Sequence, residues 1–388
     1  MIVTAGDNDT FPLWYIQEIE GVRTDVRVLC TPLLATDWYA QQMKRQAYES
    51  APLPMKLTSE QVGKGIRDMV VVQEFSNVKD NYVRLHDAME VVRDDKMLVN
   101  RYGDKYNFIP AKNLKFEVDK QLALQNNAIS RKDSAKLVDE IQFTLQDNNV
   151  YKNKLVIYDC LDDYKWDRPL YFTSQSSASD LGLDSYLRYD GFAFKFVPVK
   201  NSDSRIPYID TDVLYDKLMN VYKWRGMGEK GVYMDHFHER TTRVIGIRQM
   251  FNSLALELAA ENKIDSAKNV LNKLCEIMPD WQFPYFDDAV ITTAYIYYRL
   301  NDFESGNREL KTYAENLIDE VEWYNSLSKQ PAFAKQVEND KIDYIRTVIQ
   351  IYQIASQYNQ KDFCNELEVR WGDLGEYPLS EYMKVLKN

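Results

Sequence analysis

The sequence predicts a mixed fold in which a Rossmann-like α/β domain precedes an all-α region of tetratricopeptide-like helical hairpins. Three observations support this prediction. Strand and helix patterns alternate over the first forty residues, a second alternation follows Asn153, and helical patterns continue from Asp210 to the end. We therefore predict an α/β domain at 1–205, with an insertion at about 51–150, and a helical domain at 206–388.

The first alternation predicts a βαβ unit. A short apolar strand begins at Ile2, an amphipathic helix covers Phe11–Ile19 and a second strand covers Val26–Cys30. Another helix is predicted from Asp37 to Gln46. Ligands of open α/β sheets bind at the carboxyl ends of strands. The polar residues expected there, which we call the acidic corner, are Gly6, Asp7, Asn8, Asp9 and Thr10.

The segment from Ala51 to Val150 carries weaker signals and is interpreted as an insertion or covering layer. Apolar residues at helical spacing predict a helix over Tyr82–Lys96. The predicted short strands are Val70–Gln73, Leu114–Val118 and Glu140–Leu145.

A second βαβ unit is predicted after Asn153. The segment Lys154–Tyr164 is apolar enough for a strand or a helix, and we favour a helix. It precedes a strand over Leu170–Thr173, a helix over Ser179–Tyr189, and a strand in which Phe192, Phe194 and Phe196 alternate with other residues. The two units together predict one Rossmann-like domain.

A helix–helix turn recurs in the C-terminal region. The six residues from Asn262 correspond position by position to the six from Asn301, at a separation of 39 residues. Each second helix carries a small residue, Ala267 or Gly306, which predicts close helix packing. The separation exceeds the roughly 34 residues of a tetratricopeptide repeat, so we predict a degenerate array. The predicted helices are 213–224, 241–262, 265–278, 286–300, 303–327, 337–358 and 362–371.

Composition excludes several function classes. The formal net charge is −11 and the 48 basic residues are scattered, which argues against nucleic acid and against anionic membrane surfaces. No apolar run approaches the roughly 20 residues of a spanning helix. The chain begins inside its first strand, which is typical of part of a longer protein. The four cysteines are far apart and are predicted to be buried apolar side chains.

The acidic corner is the first candidate site. It lacks a Gly-x-Gly-x-x-Gly phosphate cradle, and carboxylates near a helix N-terminus repel phosphate. Carboxylate and amide oxygens suit sugar hydroxyls or a hard cation such as calcium. The alternative, with equal weight, is a capped turn without a ligand. No cofactor is predicted, with calcium or another divalent cation as the alternative. The candidate ligand-binding residues are Asp7, Asn8, Asp9, Thr10, Asp37 and Trp38.

The second candidate is a weak metal site at His236 and His238. Side chains two positions apart share a face only on an extended backbone, and a distant third ligand would be needed. A solvated polar turn is the favoured interpretation. Nucleophilic catalysis has little support, because His86 has no evident serine or cysteine partner. Asp162 and Asp163 are interpreted as ordinary helix-surface or cap residues.

Several stretches together resemble a known family: large bacterial membrane proteins, similar to protein O-mannosyltransferases of the GT-C superfamily, that have an animal relative. The resemblance covers most of the chain. The stretches are Gly6–Tyr15, Gly21–Val26, Thr36–Tyr39, Trp166-x-Arg168-Pro169-x-Tyr171-Phe172, Gly182-Leu183-x-x-Tyr186-Leu187, Tyr233-x-Asp235, Arg248–Leu258 and the repeated turn.

The resemblance implies a periplasmic, extramembrane part of such a protein, without catalytic residues of its own. The lipid-linked sugar donor and the catalytic acid would belong to an N-terminal membrane region. The expected partners are that membrane region, an acceptor polypeptide and a sugar. The expected task is to hold or orient the acceptor. Two alternatives remain, namely a scaffolding module without a small-molecule ligand, and a metal-dependent hydrolase that uses the acidic corner with His236 or His238.

Overall fold

A computed structural model of the protein contains the predicted strand–helix–strand unit at its start. Strand β1 (Ile2–Thr4), helix α1 (Asp7–Glu18) and strand β2 (Val28–Cys30) form a βαβ unit in which β1 pairs in parallel with β2. The structure describes residues 1–75, 81–233, 235, 242–328, 338–374 and 377–385. The chain divides into two units, Met1–Asp210 and Thr211–Asn388.

The first unit contains thirteen strands and seven α-helices in its described residues. After β2 come α2 (Thr31–Leu34), α3 (Asp37–Gln42), β3 (Met69–Val72), β4 (Val83–Arg84), α4 (Leu85–Arg93), β5 (Val99–Arg101), β6 (Asp104–Tyr106), β7 (Phe108–Ile109), β8 (Asn113–Glu117), α5 (Lys120–Gln125), β9 (Glu140–Thr144), β10 (Asn149–Tyr151), α6 (Lys152–Leu161), β11 (Tyr171–Phe172), α7 (Gln175–Ser179), β12 (Leu187–Tyr189) and β13 (Phe194–Phe196).

The largest sheet has five strands in the order β12-β13-β11-β1-β2. Strands β11, β1 and β2 are mutually parallel, and β13 runs antiparallel to both β11 and β12. Strand β1 lies between β11 and β2, and its Val3 is fully buried. The carboxyl ends of β1, β2 and β11 therefore lie at the same end of the sheet, where helices α1, α2 and α7 begin.

The second predicted βαβ unit is only partly present, and the Rossmann-like assignment is not confirmed. The predicted helix Ser179–Tyr189 is wrong, because α7 ends at Ser179 and Leu187–Tyr189 forms strand β12. Gly182 adopts a φ of +75°, and a Cβ there would lie 2.5 Å from the carbonyl oxygen of Thr144. This turn breaks the helical pattern, and pairing of β12 with β13 then outweighs helix propensity.

Tyr39 covers strand β2, one of the two edge strands of the five-stranded sheet. Its hydroxyl donates to the carbonyl oxygen of Val28 at 2.9 Å and accepts from the amide of Cys30 at 3.5 Å. Burial raises the pKa of Tyr39 to about 12. A side chain thus satisfies backbone groups that an exposed edge strand would offer to another chain.

The middle segment contributes to the same hydrophobic core as β1. Its strands form two three-stranded sheets, β10-β3-β7 and β4-β8-β9, and a β5–β6 hairpin. Buried side chains such as Val70, Leu85 and Ile141 pack in one cluster with Val3. The predicted strands match β3, β8 and β9, but helix α4 is shorter than predicted because Val83 and Arg84 pair with β8. The predicted domain and insertion boundaries stay predictions.

The second unit is helical throughout its described elements. They are α8 (Thr211–Asp216) with a π-helical turn (Lys217–Val221), α9 (Thr242–Ala260), α10 (Ile264–Ile277), α11 (Ala289–Arg299), α12 (Phe303–Ser328), α13 (Glu338–Gln357), α14 (Lys361–Gly372) and α15 (Leu379–Val385). Six predicted helices agree with α9 to α14 within three residues at either end. The predicted 213–224 helix ends earlier, and α15 was not predicted.

Three helix–helix turns share one geometry. Asn262, Asn301 and Asn359 have φ values of 59°, 56° and 57°, and asparagine tolerates this left-handed conformation. After each one, an amide donates to the carbonyl five residues earlier, at 2.8, 2.9 and 2.9 Å. The turn at Asn359 was not recognised in the sequence. The interval from Asn301 to Asn359 is longer than the interval from Asn262 to Asn301, so the turns do not recur at a fixed spacing. The tetratricopeptide-like assignment is not confirmed.

The predicted close packing at Gly306 is present. A Cβ on Gly306 would lie 2.4 Å from a ring carbon of Tyr298, which is 1% exposed. Helices α11 and α12 therefore approach each other at a distance that only glycine permits. Of the four cysteines, Cys30, Cys160 and Cys364 are buried as predicted, Cys275 is half-buried, and all four are free thiols.

Candidate functional site

The acidic corner lies at the carboxyl end of β1, as the sequence predicted. Gly6 is in an extended conformation immediately before α1, and the helix begins at Asp7 rather than at the predicted Phe11. The earlier start has a local cause. Both carboxylate oxygens of Asp9 reach back to backbone amides before the helix, to Ala5 at 2.8 Å and Gly6 at 2.9 Å. Such capping satisfies amides that have no partner within the helix.

Asp9 also connects two parallel strands. The hydroxyl of Thr173, just after β11, donates a hydrogen bond to the Asp9 carboxylate. Partial burial raises the pKa of Asp9, but the hydrogen bonds from Thr173, Ala5 and Gly6 outweigh this effect, so the net pKa lies below its usual value. In this unit β2 lies on one side of β1 and β11 on the other, and crevices between such strands commonly hold ligands. Here Asp9 bridges the two strand ends.

The side chain of Thr10 likewise lies in the protein interior. Its hydroxyl lies 2.6 Å from that of Thr4, and both residues are fully buried. The hydroxyl of Thr31, the first residue of α2, donates to the carbonyl oxygen of Thr4 at 3.0 Å. The corner is thus held to β2 as well as to β11, and Thr10 has no access to an external ligand.

The other candidate residues are more accessible. Asp7 and Asn8 are exposed in the first turn of α1, Asp37 is half-buried in the first turn of α3, and Trp38 is 55% exposed. The Trp38 ring contacts Tyr39 edge-on, at a centroid distance of 5.4 Å. Of the six predicted ligand-binding residues, Asp9 and Thr10 therefore stabilise the fold, and ligand binding by the six stays a prediction.

Replacing Asp9 by alanine is expected to lower the free energy of unfolding by about 0.5–2 kcal/mol more than Asp7→Ala does. Both substitutions remove one charge from the first turn of α1, so their difference isolates the bonds from Ala5, Gly6 and Thr173. Urea unfolding, monitored by hydrogen exchange in peptides of the first unit, measures the difference. Equal losses would contradict the capping role.

A charged cluster that was missed in the sequence lies beside α6. We call it the Arg93 cluster, and its members are Arg93, Asp159, Asp162, His86 and Lys56. Asp159 is fully buried and accepts from Nε of Arg93 at 3.0 Å and from the amide of Leu57 at 2.9 Å. One signal was available: Asp159 interrupts the apolar run Leu155–Leu161, where an unpaired charge would be costly.

Asp162 is the second buried carboxylate of the Arg93 cluster. It follows α6 directly, as a cap position would, but it is 4% exposed and therefore not a surface residue. It accepts from Arg93 at 2.7 Å, from Nδ1 of His86 at 3.0 Å and from Lys56 at 3.2 Å. Burial raises the pKa of Asp162, but hydrogen bonds from Arg93, His86 and Lys56 together with the charge of Arg93 outweigh it and leave the pKa lowered. The partner of His86 is thus a carboxylate.

The predicted metal residues His236 and His238 lie outside the described residues. Within the described ranges, no group of three or more histidine, cysteine, aspartate or glutamate side chains could hold a metal ion. The calcium alternative at the acidic corner stays a prediction.

The second unit carries an open groove between α12 and α14, which we call the α12–α14 groove. Its volume is about 580 Å³. Among the described residues, its lining comes from these two helices and the residue that follows α14. The lining includes Ala314, Glu315, Ile318, Phe363, Leu367, Val369, Arg370 and Asp373, together with Lys311, Asn365 and Glu366. None of these residues was predicted as a binding site from the sequence.

Comparisons with known proteins identify one family. A family model described as TMEM260-associated domain 2 matches residues 1–213, more than half of the chain. No curated protein and no solved structure matches. None of the helices in the described ranges is long and apolar enough to cross a membrane.

Proposed function

Because the chain belongs to the family of TMEM260-associated domain 2, we propose that it is an extramembrane module of a membrane protein glycosyltransferase that binds or orients the acceptor protein. In this proposal the parent protein is O-mannosyltransferase-like and uses a polyprenyl-phosphate sugar donor. The module faces the periplasm, and the sugar-transfer chemistry belongs to the membrane region of the parent.

Two observations of different kinds support the proposal. The family match is consistent with the sequence resemblance, whose first stretch, Gly6–Tyr15, lies within the matched residues. The α12–α14 groove supports the part of the proposal that concerns acceptor binding. A groove of about 580 Å³ between two helices has the size and form in which proteins hold peptide segments.

The acidic corner favours a second candidate function, a scaffold without a small-molecule ligand. Asp9 and Thr10 use their polar atoms to join α1 to β1 and to the end of β11. These bonds give both residues a role in the fold that needs no ligand. In the scaffold alternative, the exposed Asp7 and Asn8 are surface residues without a ligand.

The proposed function can be tested in the full-length protein by blocking the groove. Val369 lines the groove and is 71% exposed, so Val369→Arg should leave the fold intact. We expect glycosylation of the acceptor, measured by mass spectrometry of its glycopeptides, to fall about tenfold, which corresponds to about 1.4 kcal/mol of lost binding. Val22→Arg is the matched control, since Val22 is 45% exposed and lies outside the groove.

Unchanged glycosylation in Val369→Arg would refute acceptor binding by the groove and leave the scaffold alternative. An Asp7→Ala variant addresses the corner separately, because Asp7 is exposed whereas Asp9 stabilises the fold. Reduced glycosylation in Asp7→Ala with unchanged stability would favour a functional corner.

A further inference from the structure

We propose that the α12–α14 groove binds a short polypeptide segment in which large apolar side chains lie between lysine or arginine residues. This inference rests on the proposed function only where it takes the segment to belong to an acceptor protein. Binding itself depends on the groove alone and can be measured on this chain.

The floor of the groove is apolar. Ala314 and Ile318 of α12 and Phe363 and Leu367 of α14 line it, and each of them is no more than 6% exposed. Val369 adds an exposed apolar side chain to the lining. Because these four side chains are already almost fully buried, the apolar surface that a ligand would remove from water is mainly that of Val369, which is 71% exposed. The groove therefore suits leucine-sized or phenylalanine-sized side chains.

The cations of the groove are already paired. Nζ of Lys311 lies 2.8 Å from a carboxylate oxygen of Glu366, and the Arg370 guanidinium lies 2.8 Å from Asp319 and 3.5 Å from Glu322. These ion pairs join α12 to α14. An incoming carboxylate or phosphate would have to compete with them.

Two carboxylates of the groove, in contrast, are available. Glu315 and Asp373 are exposed, and neither forms a hydrogen bond or an ion pair within 4 Å among the described residues, although the charge of Lys311 acts on Glu315. Together with Glu366, Asp319 and Glu322 they outnumber the two cations. The excess of negative charge around an apolar floor is complementary to a basic, apolar segment, and it repels nucleic acid and anionic lipid.

The dimensions of the groove limit the length of the segment. Later residues of α12 pair with later residues of α14, so the two helices run in the same direction. Lys311 to Ile318 spans roughly 10 Å at about 1.5 Å per residue. At about 3.3 Å per residue, an extended segment of about three or four residues covers this distance. The basic residues are therefore expected on both sides of about three apolar ones.

The test uses the 388-residue chain and three labelled, capped peptides in fluorescence anisotropy. The first is Arg-Leu-Phe-Leu-Arg, the second has glutamate in place of arginine, and the third has serine in place of the apolar residues. We expect the first peptide to bind at least tenfold more tightly than either of the others. Equal binding of the serine peptide would show that attraction to an acidic protein is sufficient, and would overturn the inference.

Two double variants separate the groove from the net charge of the chain. Glu315→Lys with Asp373→Lys should weaken binding of the first peptide at least tenfold. Glu20→Lys with Glu60→Lys changes the net charge equally, at exposed positions of the other unit, and should change binding less than twofold. Equal losses in the two variants would overturn the inference. So would sedimentation evidence that the groove is occupied by a second copy of the chain.

The outcomes also separate this inference from the proposed function. If glycosylation depends on Val369 but the first peptide does not bind, the stated ligand chemistry is wrong and acceptor binding survives. If the peptide binds in the groove but Val369→Arg leaves glycosylation unchanged, the proposed function is wrong and the binding site survives.

Discussion

Replacing Arg93 by alanine is expected to lower the free energy of unfolding of the first unit by about 3–5 kcal/mol, because it leaves buried carboxylates without their main cationic partner. Asp159 and Asp162 are 0% and 4% exposed, and the Arg93 guanidinium donates to both. Among the described residues, Lys56 and His86 pair with Asp162 and not with Asp159, so they cannot compensate Asp159. Urea unfolding, followed by hydrogen exchange in peptides of α4 and α6, measures the loss.

Arg84→Ala is the matched control on the same segment. Arg84 forms an ion pair with Asp87 at 2.8 Å, but the two side chains are 64% and 47% exposed. Exposed ion pairs contribute about 0.2–1 kcal/mol to the free energy of unfolding, so Arg84→Ala should be nearly as stable as the wild type. Similar losses in Arg84→Ala and Arg93→Ala would mean that burial does not set the strength of the Arg93 cluster.

The pH dependence of the Arg93 effect has a defined sign. The pKa of Asp162 is lowered in the folded protein, so its stabilisation is present above the unfolded-state value of about 3.9 and is lost as the pH falls through the folded-state pKa. Without Arg93, burial would dominate and the Asp162 carboxyl would take up a proton more readily. The difference in the free energy of unfolding between Arg93→Ala and the wild type should therefore shrink below roughly pH 4.

Gly306→Ala is expected to destabilise the helical unit by about 1–3 kcal/mol, although alanine favours helix formation. The added Cβ would lie 2.4 and 2.5 Å from two ring carbons of Tyr298 and 3.1 Å from the carbonyl oxygen of Ala294. The ring has little room to move, since it packs on Tyr358 at 4.9 Å and its hydroxyl lies 2.5 Å from Asn307. Chemical denaturation followed by hydrogen exchange in α11 and α12 measures the effect.

Gly246→Ala should instead stabilise the helical unit. Gly246 lies inside α9, and among the described residues no atom comes within 4 Å of a Cβ built there. Removing a helix-interior glycine without a clash should stabilise the unit by about 0.5–1 kcal/mol. If both glycine variants stabilise the protein, the close approach of α11 and α12 is not the constraint that it is taken to be.

Much of the secondary structure followed from local patterns. The strand–helix–strand order from Ile2 to Cys30 and the helices from α9 to α14 were predictable because apolar spacing and turn residues act over a few positions. The strand Leu187–Tyr189 was not, since its burial depends on pairing with β13. The turn at Asn359 was missed because its neighbours Lys361 and Phe363 differ from those at the other two turns.

The candidate site shows the same division. The sequence alone determined where the acidic corner lies, because a strand that ends in glycine and leads into a helix places the next polar residues at a sheet edge. Only the tertiary structure decided what those residues do. Asp9 meets Thr173, and Asp159 and Asp162 meet Arg93, across separations of 164, 66 and 69 residues. Contacts over such distances depend on how the strands and helices pack, which no local pattern specifies.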